Sequence, residues 1–337
     1  MNRRDFLFSG ALAGLSVGIG NFNGLNHLLN FSQDPRVRVL ADGDRFTLKA
    51  YSDGFRRGDF VVVEVEPKEP LEDSTLRYNV VTNRNTSRQF TLPKLEKDGK
   101  IYALAGIGFE YPKQTTTLEV GLIAKGRNIG NKDPFNIPIS DREFKEEYFA
   151  SANVENAFPI NAEDIRSKER EARILYPSWD GITPGNYIQD GFMLPRPKCS
   201  LDSFGVRRFY DGVERSPHKG TDCEGNIGDL IIAPMSGIVK LADVKLDEPD
   251  FFYMGDTVVL DHGLSLYTLH AHMSEQLVKL GQYVKVGTPI GKVGITGRRT
   301  GPHLHWQAKL YGGIREAMNM NPMSLEILNR VFRTQSQ

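Results

Sequence analysis

The sequence predicts an all-β protein of two strand-rich units joined by a short helical connector. Three observations carry this. Residues 36–145 present one short β-branched or aromatic segment after another, with turn residues between them. Residues 191–325 repeat that texture with denser Gly and Pro punctuation. Between them, in 146–190, a charged segment carries helix-start signals. A chain of 337 residues suits about two domains, on a prior of roughly 100–200 residues each.

Residues 1–30 have the form of an export signal. Arg3 and Arg4 precede an uncharged apolar run, Phe8 to Gly20, which is shorter than the ~20 residues a spanning helix needs. The Arg3-Arg4-Asp5-Phe6-Leu7 start resembles the twin-arginine type, which exports folded proteins. That resemblance implies export to the periplasm or cell envelope and no stable membrane span in the mature form. No clean small-x-small cleavage site follows the run.

In the first unit the expected strands are 36–40, 45–51, 60–65, 75–81, 88–92, 102–109 and 116–124. Many alternate apolar with polar residues, as half-buried strands do. Asp42-Gly43-Asp44, Gly58-Asp59 and Asp98-Gly99 supply turns. About seven such strands suggest a β-sandwich. The stretch Tyr102 to Phe109 followed by Thr116 to Gly121 resembles the immunoglobulin-like module that precedes some bacterial cell-wall peptidase domains. This unit holds no His and no Cys, so chemistry is expected elsewhere.

The connector's helix is expected to open at Asn161, with acids in its first turn, and to run through Arg173. Residues 326–337 read as a C-terminal tail. Lys plus Arg and Asp plus Glu both number 42, so the net charge is zero and nucleic acid gains no support as a partner. Cys199 and Cys223 could pair in an oxidising compartment or remain free.

Six of the seven histidines fall in the second unit. Its expected strands are 230–233, 237–241, 257–260, 266–269, 283–286, 290–293 and 303–310. Two short motifs stand out there: His218-Lys219-Gly220-Thr221-Asp222, and His303-Leu304-His305 after Thr296-Gly297-Arg298-Arg299-Thr300-Gly301-Pro302. Residues two apart on a strand share a face, so His303 and His305 present two imidazoles together. Imidazole and carboxylate both suit zinc. Three protein ligands with an open position is the arrangement of a catalytic zinc.

Residues 191–323 resemble the lysostaphin-type zinc peptidases, the LytM domain family. The match runs through Ser203-Phe204-Gly205, Pro217 to Asp222, Ala233 to Val239, Val259 to Gly263, Ala271 to Ser274, Val278 to Gly287 and Pro302 to Trp306. The resemblance implies one zinc per chain, held by His218, Asp222 and His305. It implies catalytic roles for His272 and His303, toward the attacking water and the tetrahedral intermediate. The implied substrate is the peptide of cell-wall peptidoglycan. All five positions hold the family's residue type, whereas regulators built on this fold typically lack some of them. The alternatives are such a regulator, bound to an amidase or a division partner, and a wall-binding module with a structural zinc closed by His272 or Cys223.

One departure bears on the roles. The family usually has Tyr where this chain has His270. Simple alternation would put His270 and His272 on the same side of their strand, so His270 competes for the catalytic position. His262, in Asp261-His262-Gly263, reads as structural, Trp306 as core, and Arg298 and Arg299 as solvated or in contact with an anionic peptide. A disulfide between Cys199 and Cys223 would brace the loop carrying Asp222.

Overall fold

The computed structural model describes residues 34–71, 74–81, 88–111, 117–124, 127–128, 134–149, 162–179, 181, 185–214, 217–242, 253–299, 301–311 and 317–332. The export signal expected over 1–30 and the expected helix start at Asn161 lie outside these residues. No helix among them is long and apolar enough to cross a membrane.

The chain is nearly all β. The first unit contains two antiparallel sheets. One has the strand order Val37–Asp42, Phe46–Tyr51, Phe60–Pro67, Lys100–Gly106, Leu95–Lys97. The other runs Phe135–Pro138, Thr117–Ala124, Ser74–Val81, Arg88–Leu92, with Arg127–Asn128 added to 117–124. Phe46 meets Phe135 edge-on across them, ring centroids 6.3 Å apart. The central strand, Phe60–Val65, is buried on both faces. One face looks toward the second sheet. On the other, Tyr102 of the neighbouring strand Lys100–Gly106 lies opposite Glu64, its ring 5.1 Å from that of Phe332 at the far end of the chain.

That contact departs from the expected tail. Asn321 caps a 3-10 turn, Pro322–Glu326, which continues into a six-residue helix, α2, Ile327–Phe332. Leu325, Leu328, Val331 and Phe332 are all buried. The segment is too short for a helical period to stand out in sequence, and its order comes from tertiary packing. Phe60 N donates to Ser324 Oγ at 3.1 Å and Asn321 N donates to the Gly58 carbonyl at 2.7 Å. Asn329 exchanges two hydrogen bonds with the Phe192 backbone, at 2.8 and 2.9 Å. Buried residues of both units join one continuous apolar core.

The second unit is a nine-stranded sheet with the order Thr221–Glu224, His303–Tyr311, Leu266–Gln276, Asp256–Asp261, Gly237–Leu241, Tyr283–Val284. Leu230–Ile232, Pro289–Val293 and Ala317–Met320 pair alongside. A small third sheet joins Glu146–Phe149, parallel, to Arg207–Tyr210, which then pairs antiparallel with Val213–Glu214.

The connector forms helix α1, Ala162–Ser178. Ser167, Glu171, Leu175 and Ser178 make its buried stripe at helical spacing. With Trp179, Leu175 packs on Val259, Leu269 and Ala271 of the nine-stranded sheet.

Candidate metal centre

Strand register creates the site. Asp222 lies directly opposite His305 on the neighbouring strand, and Ala271 lies opposite His305 on its other side. Directly paired residues share a face, so Asp222, His305 and, two residues back, His303 project together. His218 reaches the same place from the preceding loop, which is tied by Gly205 N to the His218 carbonyl at 2.7 Å and by His218 N to the Val206 carbonyl at 2.9 Å. Gly220 is what lets that loop close down. A Cβ there would lie 2.5 Å from the Trp306 carbonyl oxygen and 2.9 Å from His305 Cε1.

Three donor atoms converge as a result. His218 Nε2 is 2.9 Å from His305 Nδ1, and Asp222 Oδ1 is 3.0 Å from His305 Nδ1 and 3.1 Å from His218 Nε2. Among the described residues these form a group able to hold a metal ion. Each imidazole is fixed through its other nitrogen. His218 Nδ1 donates to the Ser203 carbonyl at 2.6 Å, which leaves Nε2 a bare lone pair aimed into the cluster. The Gln307 amide nitrogen lies 2.8 Å from His305 Nε2 and, as placed, donates to it. With that amide turned to present its oxygen, Nε2 carries the proton and three lone pairs face one another, an arrangement that a cation relieves. The donor set and its outer tethers therefore fit a divalent ion of the zinc class. Burial alone would raise the Asp222 pKa; with a proton on His218 or His305 in the place of a cation, their hydrogen bonds to Asp222 outweigh it and hold the carboxylate well below its usual range.

His303 and His272 flank this trio. His303 Nδ1 donates to the Gly301 carbonyl at 2.9 Å, and its Nε2 lies 3.6 Å from Asp222 Oδ1. The His272 ring is centred 4.9 Å from that of His303 and 5.8 Å from that of His305. Its Nδ1 donates to the Thr296 carbonyl at 2.9 Å. Burial, reinforced by His305 and then His303, pushes its pKa down to about 3, so the ring is neutral with a bare Nε2.

The expectation that His270 and His272 share a side does not hold. His272 has φ 62°, in the left-handed region. The pairing with Asp256–Asp261 slips between Asp256 and Val258, opposite this point. Such a bulge re-aims a side chain. It turns His272 to the face of Ala271 and His305. His270 stays in regular register opposite Trp306, on the other face. It is wholly buried, and that burial pushes its pKa down to about 3. The geometry thus brings together His218, Asp222, His272, His303 and His305 and leaves His270 out.

His262 is also buried. Its Nδ1 bonds the Ser236 carbonyl at 2.9 Å and its Nε2 bonds Thr268 Oγ1 at 2.7 Å, a turn-fixing role. Trp306 is core, stacked on Phe192. Arg298 lies over the Tyr253 ring, and Arg299 donates to the Gly297 carbonyl at 2.6 Å. Cys199 and Cys223 form a disulfide, and Ser200 N donates to the Asp222 carbonyl at 2.9 Å beside it. Sequence reasoning missed Gln307, although continued alternation from His303 and His305 pointed to it. It also missed the tethering roles of Ser203, Thr296 and Met254, which act through backbone carbonyls and leave no residue-type signal.

Residues 216–320 match peptidase family M23, so the chain carries an M23 peptidase domain of the LytM type. Among its relatives, peptidoglycan DD-endopeptidase ShyA of Vibrio cholerae is 32% identical over 228 residues, covering 66% of this chain and 51% of the relative. An uncharacterised metalloprotease of Haemophilus influenzae is 36% identical over 300 residues, covering 87% of this chain and 61% of the relative. The chain therefore spans between half and two thirds of the length of these two relatives. A solved structure described as a peptidase M23, from Pseudomonas aeruginosa, superposes with a TM-score of 0.55 at 22% identity over 82% of this chain and 96% of that one. It extends the fold likeness beyond the M23 domain.

Proposed function

We propose that the chain is a zinc-dependent endopeptidase that hydrolyses peptide bonds in bacterial cell-wall peptidoglycan. The observation that carries this is the convergence of His218, Asp222 and His305 with His272 and His303 on one sheet face. The name of the Vibrio cholerae relative supports the substrate class. His218, Asp222 and His305 would hold one zinc. Bound there, zinc would supply Lewis acidity toward water and toward a peptide carbonyl. The chain's own residues manage the protons. His303, with Nδ1 committed to Gly301, offers Nε2 as general base to the attacking water. His272, with Nδ1 committed to Thr296, offers Nε2 to orient a water O–H. Once either nitrogen gains a proton it becomes a donor, suited to the oxyanion or the leaving amine.

In this reading the chain acts outside the cytoplasm after export by the twin-arginine-type segment. Residues 36–145 serve as an immunoglobulin-like domain, 146–190 as connector and 191–325 as the peptidase domain. The presence of all five groups favours an enzyme over a regulator of other wall enzymes.

The test incubates purified sacculi with zinc-loaded protein, chelated protein and a His303→Ala variant. New peptide ends are expected with the first alone. Bound zinc with no release in any arm would overturn the proposal.

A further inference from the structure

The left-handed backbone at His272 is costly for a residue with a Cβ and persists only where its surroundings impose it. Two contacts do so. His272 N donates to the Met254 carbonyl at 2.9 Å, and the ring is tied to Thr296. The Tyr253–Met254 segment is itself held from outside the sheet. Glu171 of α1 accepts Tyr253 N at 2.8 Å on Oε2 and Met254 N at 3.1 Å on Oε1, so one carboxylate straddles two consecutive N–H groups. Glu171 is only 3% exposed. An apolar side chain there would leave both N–H groups without their acceptor. The same segment reaches the loop before His303. Arg298 N donates to the Tyr253 carbonyl at 3.0 Å, and Gly255, at φ 60°, lies too close to Thr296 and Gly297 to admit a Cβ. Met254 also packs with Leu175 and Trp179 in the apolar cluster beneath α1.

We propose that Glu171 is a positioning residue of the reaction centre. From α1, it fixes Tyr253 and Met254, and through the Met254 carbonyl it fixes the backbone that aims His272. This rests on the endopeptidase reading for its effect on rate. It places a determinant of the site outside residues 216–320, the segment that matches the peptidase family.

The test uses the full chain as wild type, Glu171→Ala, Glu171→Gln and Leu175→Ala. Zinc content, kcat and KM on a soluble cross-linked peptidoglycan peptide dimer, and amide hydrogen exchange are measured on each. Glu171→Ala should keep one zinc per chain and an unchanged KM while kcat falls 10- to 100-fold. Its His272 amide should exchange at least tenfold faster, with Leu304 unchanged. Glu171→Gln, which keeps an oxygen acceptor, should recover at least part of both. Leu175→Ala lowers the melting temperature but leaves kcat within twofold below the transition. A folded Glu171→Ala with wild-type kcat and wild-type His272 exchange overturns the proposal, as does an equal kcat loss in Leu175→Ala. An inactive wild type would sink the endopeptidase reading alone, because the exchange of the His272 amide still decides whether Glu171 holds that backbone.

Discussion

The two halves of the site are held by different means. His218, Asp222 and His305 are placed by ladder register and a tight glycine-containing loop, and Asp222 faces His305 as an ordinary cross-strand pair. His272 is placed by an irregularity: a left-handed residue at a slip in the ladder, fastened to Met254 and Thr296. The difference teaches that the candidate metal ligands follow from regular strand pairing and one tight loop, whereas the histidine proposed to handle protons beside them depends on support from elements packed around the sheet. The strand-held half should therefore fail through loss of metal, and the bulge-held half through loss of rate with metal retained.

The largest effect breaks the first half. Asp222→Ala or His305→Ala should abolish stoichiometric zinc binding and reduce peptide release to background, measured by elemental analysis and product chromatography. The next separates the two histidines of one strand. His272→Ala should retain zinc and lose about 10²–10⁴ in kcat, the usual range for an acid–base group. His270→Leu, on the opposite face, should leave kcat within twofold. The reverse pattern would show that the bulge does not set the catalytic histidine.

Smaller effects sharpen the comparison. Cys199→Ser with Cys223→Ser removes a cross-link of sequence separation 24 beside Asp222. It should lower stability by about 3 kcal/mol, read as a drop in denaturation midpoint, with the zinc affinity of the strand-held trio weakened more than the exchange protection of His272. An effect of similar size belongs to the bulge's support. Burial raises the Glu171 pKa to about 7, against the opposing N–H bonds of Tyr253 and Met254 and the charge of Lys168. The folded chain thus keeps a proton that the unfolded chain gives up at the ordinary glutamate value. Stability from this group is fully present below that value and is lost as pH rises through about 7. Wild type should therefore lose up to ~3 kcal/mol relative to Glu171→Gln between pH 4.5 and 7.5, tracked by denaturant titration at several pH values.

The strand pattern of both units, the connector helix and the five clustered positions were legible in the sequence. Alternation and the His-x-His and His-x-x-x-Asp spacings report local geometry, and that geometry was largely regular. What was not legible depends on contacts distant in sequence. No residue type marks the slip at His272, since His is not a residue that favours positive φ as Gly does. Alternation therefore pointed to a shared face for His270 and His272. The Glu171 clamp joins residues 82 and 83 positions apart. Helix α2 is a buried six-residue segment whose order comes from the sheet that covers it.

The most direct test of the central claim is a zinc titration of the chelated protein, with bound metal and cleavage of a cross-linked peptidoglycan peptide dimer followed on the same sample. Cleavage should rise in proportion to bound zinc and stop rising at one ion per chain. Full occupancy at one zinc per chain with the dimer intact, or cleavage undiminished in the chelated protein, would contradict the account.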